Sequence, residues 1–178
     1  MLIVGVDPGT KATGFGAIET DGDNHRLVDC GVVRAKASLG FPQKLQVIHQ
    51  TLQSILVRLT PGIVVVENLF YATNVKSALR LGHVRGVVLQ VAVEFGAEVV
   101  EYSPLEIKQS VVGYGRADKA QVQAMVGRLL ALAEPPEPHD AADALAAALC
   151  HANRLRFAEK IATAAGANAS TRRRGRSG

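Results

Sequence analysis

Cysteine is scarce in this chain: only Cys30 and Cys150 occur among 178 residues. One falls in a strand pattern and the other in a helix pattern, without metal-ligand spacing. That argues against a disulfide framework or a zinc centre, and both read as small apolar residues of a reducing cytoplasm. Long hydrophobic runs are missing too. None approaches the roughly 20 residues that a membrane-spanning helix requires, so no membrane partner is expected. The N-terminus has no basic segment and no small-residue cleavage site, so no signal peptide is expected. There is no internal repeat. Charge of one sign is also lacking over most of the length. The formal net charge is +4, but residues 1–157 balance. The excess comes from Lys160, Arg172, Arg173, Arg174 and Arg176 set against Glu159. Overall charge therefore carries no nucleic-acid argument for the folded part.

Hydrophobic residues make up 48% of the chain, enough for one globular core. The expected organisation is one domain over residues 1–157 and a basic, disordered tail over 158–178. The end of that tail, "STRRRGRSG", is rich in Gly and Arg. It reads either as sequence-blind attraction for nucleic acid or as a solvated terminus.

The opening "LIVGVDPGT" is a buried strand that stops on Asp7. "TGFGAIET" at 13–20 and "RLVDCGVVRA" at 26–35 read as two more strands, with "DGDN" as the turn between them. Leu45, Ile48, Leu52, Ile55, Leu56 and Leu59 recur at helical spacing, and Pro61 and Gly62 end that helix. "IVVVE" at 63–67 is a buried strand ending on Glu67. A helix over 75–95, a strand over 97–102 and helices over about 104–112, 118–132 and 139–157 complete the chain. The order βββαβαβααα predicts an α/β fold. Its mixed five-stranded sheet has three antiparallel strands and then two parallel ones, flanked by helices.

Asp7 and Glu67 each end an apolar strand, and neighbouring parallel strands would place both at one sheet edge, where ligands of such sheets bind. In "HDAADAL", Asp140 and Asp143 are three apart on a helix and share a face; His139 and Asp143, four apart, could share it too. Each acid alone also fits a plain role: Asp7 in a turn, Glu67 at a solvated strand end, Asp140 and Asp143 in a helix's first turns. Together they would repel unless a cation sat among them. Oxygen ligands with at most one imidazole suit Mg²⁺ or Mn²⁺ rather than zinc. Two such ions roughly 3.5–4 Å apart would activate water and stabilise the leaving oxygen at a phosphodiester.

"GVDPGTKATGFG", "VVENLFYATNVKSALRLGHVRG", "EYSPLEIKQSVVGYGRADKAQVQAMV" and "HDAADALAAALCHA" resemble, in order and spacing, the blocks of the RuvC-type Holliday junction resolvases. These are nucleases of the ribonuclease H-like fold. The resemblance runs from Met1 to about Phe157. It implies four catalytic and metal-binding acids, Asp7, Glu67, Asp140 and Asp143. It also implies Mg²⁺, two per active site, with Mn²⁺ as a substitute. Relatives vary at the Asp140 position and some carry His; here His139 stands beside it, as a neighbour of the metal or a helix-start residue. The implied activity is paired symmetric nicking of four-way DNA junctions in recombination and repair, leaving 5′-phosphate and 3′-hydroxyl ends.

The resemblance implies further that Lys108 and Lys119 contact DNA phosphates, with Arg116 in the loop between them. It implies that Phe70 stacks on a junction base, where Tyr71 reads as packing. Ala78, Gly82 and Gly86 form a small-residue stripe on the 75–95 helix. Packing within one subunit would account for it; the family instead uses this helix as a homodimer interface, with Lys76, Arg80 and Arg85 nearby. RuvA and RuvB are the implied branch-migration partners.

Three other readings share some features. An actin- or sugar-kinase-like ATP-binding protein also opens on a strand–turn–strand, but this chain is too short for two duplicated halves and leaves "DAADA" without a role. Another ribonuclease H-like nuclease, such as one that processes RNA, would share the acids without the Phe70 loop. A non-catalytic DNA-binding protein would not need all four acids.

Overall fold

The computed structural model describes residues 1–68 and 74–174, the last ten of these as helical backbone only. Five strands form one sheet: β1 (Leu2–Asp7), β2 (Thr13–Thr20), β3 (His25–Val33), β4 (Ile63–Glu67) and β5 (Glu98–Tyr102). Their order across the sheet is β3-β2-β1-β4-β5. The first three are antiparallel neighbours, and β4 joins β1 in parallel, followed by β5, also parallel. The predicted mixed sheet is thus the observed one.

The helices are α1 (Phe41–Leu59), α2 (Val75–Phe95), α3 (Pro104–Val112), α4 (Lys119–Leu129) and α5 (His139–Arg174). Their starts are chemically marked. The Asn74 side chain accepts the Ser77 N–H at α2, and Ser103–Glu106 and Asp118–Gln121 form reciprocal capping boxes at α3 and α4. α1 ends on Thr60 in the left-handed region, just before Pro61. α5 does not stop near Phe157 as its apolar pattern suggested. "AEKIATAAGANAS" is rich in helix formers and contains no proline, so nothing ends the helix before Arg174. Near that point Arg156 and Lys160 pair with Asp23 in the β2–β3 turn.

The sheet separates two cores. Val4, Val6, Phe15, Ala17, Val64 and Val66 face α1 and α2. Ile3, Ile18, Ile63 and Val65 face α5, with α3 and α4 packed beyond. Strand side chains alternate between faces. The register that buries Val4, Val6, Val64 and Val66 on one side therefore directs Asp7 and Glu67 to the α5 side.

Cys150 is buried and Cys30 half-buried, and both are free thiols. Among the described residues no helix is long and apolar enough to cross a membrane.

Candidate active site

β1 and β4 run in register through Val6 and Val66, so Asp7 and Glu67 follow side by side at the strand ends. The loop after Asp7 is closed by Thr13, which is fully buried; its hydroxyl donates to the Gly9 carbonyl at 3.1 Å. Asn68, next after Glu67, donates its backbone N–H to the Tyr102 carbonyl at 2.8 Å, which fixes the end of β4 against β5.

The other two acids arrive on α5. Its first turns lie so close to the sheet that a Cβ at Gly5, Gly14 or Gly16 would overlap α5. A Cβ on Gly5 would overlap the Ala144 carbonyl oxygen, and one on Gly14 would overlap that of Asp140. Gly14 is also the register partner of Asp7. The backbone contact that admits α5 thus sits directly beside the acid at the end of β1. The α5 face toward the sheet is Ala141, Ala144, Leu145 and Ala148, all fully buried, so the helix lies flat and close.

The carboxylates feel one another strongly. The Asp7 pKa is pushed up to about 9, first by burial and then by the charges of Glu67, Asp143 and Asp140. Glu67 is also raised, chiefly by burial, although a hydrogen bond from Asp7 and the ammoniums of Lys119 and Lys108 act the other way. The two strand-end acids therefore share a proton that resides on Asp7. The Lys119 Nζ sits 3.2 Å from Asp143 Oδ2. Its pKa is raised, first by Asp143 and further by Asp7 and Asp140. As they stand, the described acidic, imidazole and thiol side chains form no closed cage of three or more. A shared proton and the Lys119 ammonium offset part of the charge instead. The donor set nonetheless fits a hard divalent cation: four carboxylates, partly buried, with excess negative charge that one proton and one ammonium only partly offset.

Lys108 donates its Nζ to the Ala117 carbonyl at 2.7 Å, bracing the loop between α3 and α4. It remains near enough to Glu67 to lower that acid's pKa. Arg116 is exposed in the same loop, and His139 is exposed at the start of α5. Phe70 and Tyr71 lie outside the described residues. Ala78, Gly82 and Gly86 are exposed on α2, and a Cβ at either glycine would meet no atom within 4 Å. Packing among the described residues of one subunit therefore does not explain that stripe.

Sequence reasoning did not single out Gly5, Gly14 or Thr13. "VGVD" and "ATGFG" did carry a signal, since glycine inside a strand marks close backbone approach. The approaching partner, however, lies more than 120 residues away in the chain.

Residues 3–151 match the family described as crossover junction endodeoxyribonuclease RuvC. A RuvC from Alkaliphilus oremlandii is 45% identical over 159 residues, covering 89% of this chain and 97% of that protein. One from Koribacter versatilis is 49% identical over 153 residues, covering 85% and 92%. The structure of Thermus thermophilus RuvC in complex with Holliday junction substrate superposes with a TM-score of 0.83 at 35% identity, covering 89% of this chain and 96% of that one. Family match, sequence similarity along nearly the full length of these relatives and superposition of the fold agree, and the chain belongs to the RuvC family of crossover junction endodeoxyribonucleases.

Proposed function

We propose that this chain is a metal-dependent endonuclease that resolves four-way DNA junctions by paired, symmetric nicks in recombination and repair. One observation carries the reading: four carboxylates from three distant segments meet at a single sheet edge, where burial first and their mutual charge next push the Asp7 pKa up to about 9. A fold gains no stability from such repulsion, so the cluster makes sense as a cation site.

Asp7, Glu67, Asp140 and Asp143 would hold the metal, with Mg²⁺ as the physiological ion, two per site, and Mn²⁺ as a substitute. When bound, such ions activate a water for attack on the phosphodiester and stabilise the leaving oxygen. Loading requires that the proton on Asp7 leave and that the Lys119 ammonium swing away from Asp143. Freed in this way, Lys119 is positioned for a DNA phosphate beside the acids, with Lys108 and Arg116 on the same side. Phe70 is proposed to stack on a base at the opened junction core, an interaction worth roughly 1–3 kcal/mol.

Two cuts on opposed strands need two sites related by a two-fold axis. The exposed stripe of α2 supports a homodimer through that helix. Ala78, Gly82 and Gly86 line an open apolar cleft of about 790 Å³, beside Val75 and Leu79, which are 76% and 60% exposed. Family membership carries the further proposals that RuvA and RuvB are partners and that the protein works in the cytoplasm.

The deciding experiment incubates the protein with a synthetic four-way junction and with a linear duplex of the same sequence, in Mg²⁺ and in chelator. Symmetric, metal-dependent cuts in the junction alone are expected. Asp143→Asn should abolish cutting while leaving junction binding intact; unchanged cutting by that variant would sink the assignment.

A further inference from the structure

A second feature of the acid-bearing sheet edge lies on its other face, in the α1 layer. Gly9, Lys11, Val33, Ala35, Lys44 and Ile48 line a cleft of about 350 Å³. Its floor is the end of β3 and the first turns of α1, and its rim is the loop that follows Asp7. That loop belongs both to the cleft and to the acid cluster. Val33 pairs with Thr13, the residue that closes the loop, so the cleft opens at the sheet edge where Asp7 and Glu67 end their strands.

Charge here is one-sided. The chain has no Asp or Glu between Asp7 and Glu19, and none between Asp29 and Glu67. Lys11, Arg34, Lys36 and Lys44 all fall in these two stretches. Among the described residues none of the four forms an ion pair. By contrast Arg58, in the same acid-free run, reaches out to Asp29. Lys44 is half-buried and lines the cleft beside Val33 and Ile48. Unpaired ammoniums over a shallow apolar floor suit a sugar–phosphate strand, with phosphate on the lysines and deoxyribose on Val33 and Ile48. They do not suit an acidic protein surface equally well, because the loop that rims the cleft follows directly on Asp7 of the acid cluster.

We infer that this cleft is a second phosphate-binding surface. It would hold the DNA backbone on the α1 side of the acids, opposite the Lys108 and Lys119 side. This rests on the junction-nuclease reading and extends it. The strand being cut is gripped on both sides of the acids by cations from two different layers of the fold.

The test is junction binding in chelator at a series of salt concentrations, for wild type, for Lys11→Ala/Lys44→Met and for the control Arg26→Ala/Lys160→Ala. Lys44→Met keeps the apolar stem, and thermal melts confirm that each variant is folded. The control removes equal charge at the opposite end of the sheet. Loss of two phosphate contacts in each subunit of the homodimer, four per bound junction, should reduce the slope of log K against log salt by about 3.6 relative to wild type, since each contact contributes about 0.9. The control should leave the slope in place. A cleft variant with the wild-type slope, or with the same change as the control, overturns the inference and leaves the nuclease reading standing if wild type nicks junctions in Mg²⁺. Wild type that neither binds nor nicks overturns both. If Lys36→Ala in the neighbouring linker alone reproduces the full slope change, the cleft is not the site and the inference also fails.

Discussion

Glycine does opposite things on the two faces of this sheet. Gly5 and Gly14, in β1 and β2, are glycine because the α5 backbone lies where a side chain would begin. Gly82 and Gly86, on α2, have empty space in front of them. The first pair is used up within the subunit. Nothing among the described residues uses the second, and mid-helix glycine costs about 1 kcal/mol relative to alanine. The face that must hold four acids in fixed relation is built from alanine and glycine at backbone contact. The face toward α1 and α2 is built from valine, isoleucine and leucine, and it leaves one helix stripe uncovered. Close backbone approach and an uncovered helix stripe thus use the same residue type for different reasons, and the space around each glycine tells them apart.

The sharpest way to break that comparison is to make the same substitution on both faces. Gly14→Ala should push α5 and Asp140 away from Asp7. Nicking should fall at least about 100-fold, as misplacement by an ångström does. Overpacking should also cost roughly 1–3 kcal/mol or more in thermal melts. Retained nicking would show that the close approach is not what sets the acids.

Asp7→Asn separates stability from activity on the α5 face. Asp7 has its pKa raised to about 9 in the folded chain from an ordinary value of 3.8. The folded state therefore holds the extra proton between these values, and stability of metal-free protein falls as pH rises through that window. The variant should not nick. In chelator at pH 8 it should be more stable than wild type by about 1–2 kcal/mol, a Tm rise of roughly 2–8 °C. The difference should shrink toward pH 5. A lower Tm at every pH would contradict the charge argument.

On the other face, a Cβ at Gly82 meets no atom within 4 Å among the described residues. At dilutions where the chain is monomeric Gly82→Ala should raise stability by up to about 1 kcal/mol through helix propensity. It should weaken self-association measured by sedimentation. Unchanged association would remove Gly82 from the interface.

The smallest expected effect concerns the anchor behind the site. The Tyr102 hydroxyl and His151 Nδ1 are 2.8 Å apart and buried, tying β5 to α5. Tyr102→Phe should cost about 1 kcal/mol in denaturant titration and leave the cut positions on the junction unchanged.

Much of this molecule was legible in its local patterns. Alternation and helical spacing placed all five strands and all five helices, because each buries one face and the burial sets a period. The ends of β1 and β4 marked Asp7 and Glu67, since a carboxylate closing an otherwise apolar run stands out. Asp140 and Asp143 were paired by their spacing on one helix. The end of α5 was misjudged because its apolar stripe ends near Phe157 while its helix propensity does not.

Period and spacing along the chain were enough for element order, strand pairing and the expectation that four acids converge. That α5 reaches the sheet through Gly5 and Gly14 appears only once the chain is folded. The fold alone brought Lys119 onto Asp143, left the α2 glycines facing open space, and set Lys11 and Lys44 around one cleft. Those facts depend on the distance between segments far apart in sequence, and packing sets that distance through the volume of whatever residue stands opposite.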